Sequence, residues 1–172
     1  MTHLILIGLR GSGKTAAGRR AAALLGYDFV DLDALLEARG RTIPEIFATS
    51  GEVGFRKLER EAIQSLEPTT HTVVATGGGA VLDESNRSKL RGLGQMVYLV
   101  ARPETLAARV AGSDRPRLTG GNPLEETRLL LERRDPLYRE LAHHVLDTEP
   151  LDIEQVAEAL ARLVRHASAQ DG

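Results

Sequence analysis

The sequence contains no cysteine, no long apolar run and no large excess of either charge. Because cysteine is absent, the chain forms neither a disulfide nor a thiolate-ligated metal site, a composition compatible with the cytoplasm, where we expect the protein to reside. No stretch approaches the roughly 18 consecutive apolar residues of a membrane-spanning helix. A net charge of −2 provides no overall attraction for nucleic acid. We therefore expect no nucleic-acid partner and no membrane partner.

The remaining composition is that of a globular protein. Of 172 residues, 42% are hydrophobic and 27% are charged. A chain of this length most often forms one domain and buries about 70% of the surface that its unfolded state exposes. We therefore predict a single domain over residues 1–172 with a substantial hydrophobic core.

The most informative stretch is residues 8–15, Gly-Leu-Arg-Gly-Ser-Gly-Lys-Thr, which matches the phosphate-binding loop pattern G-x-x-x-x-G-K-[ST] in full. An apolar run precedes it and an alanine-rich segment follows it, which indicates a strand, the loop and a helix. Glycines let backbone N–H groups approach phosphate oxygens, and the helix presents further N–H groups at its positive end. The alternative is a glycine-rich turn without a ligand. This context favours a site for a nucleoside triphosphate.

Two polar side chains of this loop, Lys14 and Thr15, have predicted tasks. Lys14, one of only three lysines in the chain, would reach the β- and γ-phosphates. The hydroxyl of Thr15 would ligate Mg²⁺. The residues predicted to contact the nucleotide here are Gly11, Ser12, Gly13, Lys14 and Thr15.

Short apolar segments alternate with helical patterns along the chain. This alternation predicts an α/β fold, a parallel sheet with helices on both faces. The predicted strands are residues 4–7, 27–30, 72–76, 95–100 and 144–146. The principal predicted helices are residues 14–25, 55–66, 83–91, 104–110, 124–134 and 153–163. We expect the helix at 124–134 to stop near Pro136 and residues 166–172 to be frayed.

In such sheets, ligands bind beyond the carboxyl ends of the strands. The phosphate loop follows the first predicted strand, Asp31 and Asp33 follow the second, and the glycines at 77–79 follow the third. In an extended segment the two aspartates face the same way, so one would turn towards hydrated Mg²⁺ and the other would accept a hydrogen bond from a substrate hydroxyl. The alternative is a helix N-cap with an aspartate in the first turn. The convergence at one edge favours the functional interpretation.

Arg56 and Glu59 lie three residues apart in a predicted helix and share one face of it. Glu59 would orient the Arg56 guanidinium so that it grips a substrate carboxylate through two hydrogen bonds. The alternative is an exposed ion pair that contributes roughly 0–1 kcal/mol.

Residues 77–79 are costly to order because all three are glycines, which favours close approach of a ligand to the backbone over a bare turn. Arg115 lies in the glycine- and proline-rich segment after residue 111, from which it could meet the charge of a transferred phosphoryl group. Arg134 is another candidate for anion binding. The alternative for both is a solvated arginine, because nineteen of the 22 basic residues are arginines.

Taken together, these motifs resemble those of the shikimate kinases, within the nucleoside monophosphate kinase-like group of phosphate-loop enzymes. The resemblance covers essentially the whole chain. It rests on residues 8–15, Asp31-Leu32-Asp33, a series formed by Gly40, Ile43, Ile46-Phe47, Gly51-Glu52, Phe55-Arg56 and Glu59, residues 77–79, Arg115-Pro116, and residues 134–138. It implies a five-stranded parallel sheet flanked by helices, with a substrate-binding helical subdomain at about 33–66 and a mobile lid at about 112–124.

The resemblance also implies a reaction: the phosphorylation of the 3-hydroxyl of shikimate by ATP with Mg²⁺, giving shikimate 3-phosphate and ADP on the way to chorismate and the aromatic amino acids. Asp33 would bind the reacting hydroxyl, and Lys14 and Arg115 would stabilise the transferred charge. Thr15 would bind Mg²⁺ directly and Asp31 through water. The remaining substrate ligands would be Arg56, Gly78, Gly79 and Arg134, with Arg109 along the adenine.

The chain departs from the family pattern after Arg115-Pro116, where Arg117 stands in place of a usual leucine. Either Arg115 or Arg117 is therefore a candidate for the lid arginine. The alternatives to a shikimate kinase are a kinase of another hydroxy acid, such as gluconate, and a regulatory ATPase without an acceptor site. We expect a monomer.

Overall fold

A computed structural model describes residues 3–67, 71–111 and 122–170. Its five strands form one parallel sheet in the order β2-β3-β1-β4-β5, which confirms the predicted α/β fold. The strands are β1 (His3–Ile7), β2 (Asp28–Asp31), β3 (Thr72–Ala75), β4 (Gly94–Val100) and β5 (His144–Asp147). Each lies within one or two residues of a predicted strand, because continuous apolar runs are typical of strands buried on both faces.

Seven α-helices connect and cover the strands in the described part of the chain. They are α1 (Lys14–Leu25), α2 (Leu32–Glu37), α3 (Ile43–Gln64), α4 (Glu84–Leu93), α5 (Pro103–Val110), α6 (Pro123–Leu141) and α7 (Ile153–Gln170), with a 3-10 helix at Ala80–Leu82. Helix α1 ends at Gly26, whose left-handed backbone (φ 69°) closes the last turn as predicted. None of the helices in the described ranges is long and apolar enough to cross a membrane.

Two hydrophobic cores lie on opposite faces of the sheet. Alternate residues of β1 point to opposite faces, so Leu4 and Leu6 join one core and Ile5 and Ile7 join the other. The first core is closed by α1 and α7, and the second by α2, α3, α4 and α6. The site described below lies at the carboxyl ends of the strands, where β1, β2 and β3 lead into α1, α2 and the glycine segment.

The prediction that the helix at 124–134 stops near Pro136 is wrong, because α6 continues through the proline to Leu141. A proline inside a helix costs about 3 kcal/mol. Tertiary packing outweighs this local cost: Tyr138 and Leu141 are buried beyond the proline, and the Tyr98 hydroxyl donates a hydrogen bond to Asp135 just before it.

Helix α7 is longer than the predicted helix at 153–163, since it extends to Gln170. Its buried face was predicted correctly, with Val156 and Leu160 in the core. The additional turns are anchored by Arg165, whose guanidinium donates a hydrogen bond to the Leu24 carbonyl at 3.0 Å.

Candidate active site

The phosphate loop wraps around the side chain of Lys14 at the start of α1. Lys14 Nζ donates hydrogen bonds to the carbonyls of Gly8 (2.7 Å) and Leu9 (2.8 Å) and to Ser12 Oγ (3.3 Å). Gly11 has a left-handed backbone (φ 80°), and a Cβ there would lie 2.7 Å from the Leu106 carbonyl oxygen, so only glycine fits. The loop thus holds an ammonium group and the N-terminus of α1 next to each other, as a phosphate site requires.

Asp31 and Asp33 do not share an extended segment, so the geometry predicted for the pair is wrong. Asp31 is the last residue of β2 and the N-cap of α2, where its Oδ1 accepts hydrogen bonds from the backbone N–H groups of Asp33 and Ala34. Asp33 therefore lies in the first helical turn, as in the alternative considered above. The cap still leaves Asp31 Oδ2 directed at the phosphate loop, where it accepts a hydrogen bond from Thr15 Oγ1 at 2.6 Å.

Arg56 and Glu59 form an ion pair of 2.7 Å on the inner face of α3, with Glu59 only 1% exposed. Burial raises the pKa of the Glu59 carboxyl above its ordinary value, the Arg56 guanidinium opposes this shift, and nearby Asp33 adds to it. Glu59 Oε1 is buried without a hydrogen-bond partner. The alternative considered above, an exposed ion pair on the surface, therefore does not apply, because Glu59 is buried.

The glycines at 77–79 are packed against protein side chains. A Cβ on Gly77 would lie 2.6 Å from Glu59 Oε1, and a Cβ on Gly79 would overlap the Arg56 guanidinium. A Cβ on Gly78 would meet its neighbours at ordinary distances of 3.5 Å or more. The sequence predicted that a ligand lies close to the backbone of these glycines. In the structure, the side chains of Arg56 and Glu59 occupy that position.

Arg134 reaches the same place from α6. The residue is 8% exposed, and its guanidinium lies beside the glycine segment, 3.6 Å from where a Cβ on Gly78 would be. One helical turn later, the Tyr138 hydroxyl donates a hydrogen bond to the Gly78 carbonyl. The sequence context of Arg134 alone did not single it out, and its assignment to the substrate came from the family resemblance. The fold brings it into the same cavity as Arg56 and residues 77–79.

These groups line two adjoining cavities. We call the first the arginine cavity; it contains Asp33, Arg56, Glu59, residues 77–79 and Arg134, and its apolar wall is formed by Leu9, Ile43, Phe47, Phe55, Val110 and Leu130. We call the second the phosphate-loop cavity; it is lined by Lys14, Thr15, Asp31, Asp33 and Arg109, among others. Four residues line both cavities: Arg10, Asp33, Gly78 and Val110.

A third cavity, the α7 cavity, lies against the other side of the phosphate loop. Its lining includes residues of α1, residues at and just before the start of α7, and Arg109. The Arg109 guanidinium donates a hydrogen bond to the Gly11 carbonyl at 3.2 Å. Gly13 and Arg109 line both this cavity and the phosphate-loop cavity. The three cavities therefore form a series along the carboxyl edge of the sheet.

Residues 10–165 match the family model described as shikimate kinase. This chain belongs to the shikimate kinase family. The shikimate kinase of Symbiobacterium thermophilum is 45% identical over 166 residues, covering 94% of this chain and 95% of that protein. The shikimate kinase of Thiobacillus denitrificans is 47% identical over 148 residues, covering 85% and 81%. The activity is therefore shikimate kinase activity, in the shikimate pathway, as the motifs predicted.

Solved structures agree with this membership. The shikimate kinase from Acinetobacter baumannii in complex with shikimate superposes with a TM-score of 0.92 at 39% identity, covering 97% of this chain and 94% of that one. A gluconokinase from Sinorhizobium meliloti 1021 reaches a TM-score of 0.59 at 23% identity, which shows a shared fold alone. Because the chain belongs to the shikimate kinase family, the two alternatives considered above, a gluconate kinase and a regulatory ATPase, are no longer needed.

Two cavity residues, Arg10 and Phe47, were not predicted to belong to the site. Arg10 occupies a variable position of the phosphate-loop pattern, and only the structure shows it at the junction of two cavities, 3.6 Å from the buried Glu126. Phe47 stacks on Phe55 with ring centroids 4.8 Å apart. Its helical spacing indicated a core position, and it both packs against the core and forms part of the cavity wall. Arg115 and Arg117 lie outside the described residues.

Proposed function

We propose that this shikimate kinase transfers the γ-phosphoryl group of ATP, with Mg²⁺, to the 3-hydroxyl of shikimate and releases shikimate 3-phosphate and ADP. The proposal rests on the way the phosphate-loop cavity and the arginine cavity meet, with Asp33 and Arg10 lining both. A nucleotide in one cavity and a hydroxy acid in the other would bring their reacting atoms together at this junction. Such proximity supplies a large part of the catalysis of phosphoryl transfer.

In the arginine cavity we assign the carboxylate of shikimate to Arg56 and Arg134. Guanidinium groups bind carboxylates through paired, charge-assisted hydrogen bonds, and Glu59 already orients Arg56. The apolar wall, which includes the stacked pair Phe47 and Phe55, suits the carbocyclic ring. The backbone at Gly78 and Gly79 would contact the ring hydroxyls.

We assign the reacting hydroxyl to Asp33. Its carboxylate would accept a hydrogen bond from the 3-hydroxyl and take up the proton as the oxygen attacks the γ-phosphorus. The bond between that phosphorus and the β,γ-bridging oxygen breaks, and the electron pair leaves with ADP. The position of Asp33 in the first turn of α2 suits this task, because the buried start of α2 fixes it.

Lys14 would turn from the carbonyls of Gly8 and Leu9 towards the β- and γ-phosphates, and the N–H groups at the start of α1 would bind their oxygens. Arg109, between the phosphate-loop and α7 cavities, would lie along the adenine. We propose Arg115 for the charge of the transferred phosphoryl group. It belongs to the proposed lid, about residues 112–124, of which 112–121 lie outside the described residues.

The residues beside the phosphate loop fit a magnesium ion. Mg²⁺ prefers oxygen ligands and retains several waters. The Thr15 hydroxyl and an Asp31 carboxylate oxygen lie 2.6 Å apart at the mouth of the phosphate-loop cavity. Thr15 would bind the ion directly and Asp31 through a water molecule. When bound there, the ion would neutralise charge on the β- and γ-phosphate oxygens.

We further propose a monomer in which residues 1–172 form one domain, with an acceptor-binding subdomain at about 33–66. Size-exclusion chromatography with light scattering tests this, and a stable dimer would contradict it.

The function is tested by ADP release with MgATP in the presence of shikimate, gluconate or quinate. We expect turnover that depends on shikimate and on Mg²⁺, with shikimate 3-phosphate as the product identified by NMR. Equal turnover with gluconate would contradict the assignment of the arginine cavity. Hydrolysis of ATP without an acceptor would contradict the assignment of Asp33.

A further inference from the structure

Helix α6 is held on both sides of Pro136 by hydrogen bonds from side chains. Before the proline, Asp135 accepts a hydrogen bond from the Tyr98 hydroxyl at 2.9 Å and from Arg139 at 2.7 Å. After it, the fully buried Tyr138 donates a hydrogen bond to the Gly78 carbonyl. Because a proline interrupts the helical hydrogen bonds, these contacts determine where the helix lies at this point.

The two tyrosines form one rigid unit. Their ring centroids are 4.8 Å apart, and both rings are at most 1% exposed. Burial raises the pKa of Tyr138 to about 12, so its hydroxyl stays protonated and remains a hydrogen-bond donor throughout the neutral range. Tyr98 belongs to β4, so the unit connects α6 to the sheet.

The Gly78 carbonyl belongs to the same peptide unit as the N–H of Gly79. A trans peptide unit is planar, and its C=O and N–H point in opposite directions. A hydroxyl that fixes the Gly78 carbonyl therefore also fixes the direction of the Gly79 N–H. This matters at glycine, because glycine lacks the side chain that restricts the backbone elsewhere.

We propose that Tyr138 is a positioning residue for the acceptor: it fixes the Gly78–Gly79 peptide unit and keeps that unit in register with Arg134, one helical turn away. This inference rests on the proposed function, in which Arg134 binds the carboxylate of shikimate and residues 78–79 face its ring hydroxyls. Tyr138 acts through these groups and touches neither ATP nor the reacting atoms. It would thus determine how well the site discriminates between acceptors with different hydroxyl patterns.

The test is Tyr138→Phe, which keeps the ring in the core and removes only the hydroxyl. We expect the KM for shikimate to rise about five- to twentyfold, the order expected for one buried hydrogen bond of 1–2 kcal/mol, while the KM for MgATP stays within twofold. The more specific readout is the ratio of kcat/KM for shikimate to that for analogues lacking one ring hydroxyl. This ratio should fall in the variant, because a Gly79 N–H whose direction is no longer fixed distinguishes less well between shikimate and an analogue that lacks a ring hydroxyl.

Tyr27→Phe is the matched control, since Tyr27 packs on His71 away from the three cavities and its loss of a hydroxyl should leave every constant within twofold. Tyr98→Phe is a second test, because it removes the hydrogen bond to Asp135 and should shift the same ratio in the same direction.

If the KM for shikimate and the acceptor ratio of Tyr138→Phe both match the wild type, the inference is wrong. The wild-type enzyme is assayed with shikimate first. Absence of turnover there would contradict the proposed function, whereas an unchanged Tyr138→Phe variant would contradict this inference alone.

Discussion

Gly79 is constrained by Arg56 more than by its own backbone angles. Its φ of −97° is open to any residue, but a Cβ would overlap the Arg56 guanidinium. We expect Gly79→Ala to displace Arg56 and to raise the KM for shikimate at least tenfold, with the KM for MgATP within threefold. Gly92 in α4 has open space at its Cβ, so Gly92→Ala should leave the kinetics unchanged and stabilise the fold by about 0.5–1 kcal/mol. Unchanged kinetics in Gly79→Ala would contradict this account.

Arg56 itself is the second residue to test. A hydrogen bond to a charged group contributes about 1.5–3 kcal/mol, so Arg56→Ala should raise the KM for shikimate roughly 10- to 100-fold. ATP binding, measured by calorimetry, should change little. Arg91→Ala is the control, because Arg91 forms an exposed ion pair with Glu140 at 3.5 Å. An equal loss of ATP affinity in Arg56→Ala would contradict the assignment of the carboxylate.

Asp33 is expected to act on the reacting oxygen. Asparagine keeps the shape of the side chain but cannot take up a proton, so Asp33→Asn should lower kcat by about 10²- to 10⁴-fold. Circular dichroism and the melting temperature should show an intact fold. Near-normal turnover would remove Asp33 from the chemistry.

At the scale of elements, Asp83 connects α3 to α4. It caps α4 through the backbone N–H groups of Ser85 and Asn86, and Arg60 of α3 donates to its other oxygen. A hydrogen bond from the Ser85 hydroxyl, with help from Arg60, lowers the pKa of Asp83 to about 2. Because the folded pKa lies below the unfolded value of about 3.9, this stabilisation is complete above pH 4 and is lost as the pH falls towards 2.

The Asp83 prediction is checked by urea unfolding as a function of pH. Asp83→Asn should lower the free energy of unfolding at pH 7 and should lose less of it between pH 4 and pH 2 than the wild type does. Parallel losses in the two proteins over that interval would contradict the role of the ionised carboxylate.

Local patterns predicted the individual elements well. The apolar run of β1 and the glycine after α1 each mark a boundary that the structure confirms. The helix predicted at 55–66 is the second part of α3, which begins at Ile43 and is kinked at Gly51. The errors arise where contacts distant in sequence outweigh local preference. Helix α6 crosses Pro136 because Tyr138 is buried beyond it, and Asp31 caps α2 although the position of the two aspartates at the sheet edge had favoured an extended pair.

At the scale of the molecule, the alternation of strands and helices predicted which edge of the sheet carries the site. It could not predict how the cavities are divided. The arginine cavity combines residues from α2, α3, the glycine segment and α6, and its walls meet only because β3 lies between β1 and β2. Arg10 and Phe47 were therefore missed, while residues that belong to a motif, such as Lys14 and Arg56, were found.

The packing of α7 on α1 has a consequence for biosynthesis. Ala17, Ala21 and Ala22 of α1, the helix that follows the phosphate loop, are covered by Val156, Ala157 and Leu160 of α7. During translation, α1 leaves the ribosome well over a hundred residues before α7, the helix that covers it. The nascent chain must therefore carry an unprotected apolar helix face until synthesis has passed residue 160. The nucleotide side of this kinase therefore becomes complete only at that late stage of synthesis, and an incomplete chain exposes apolar surface that is prone to aggregation.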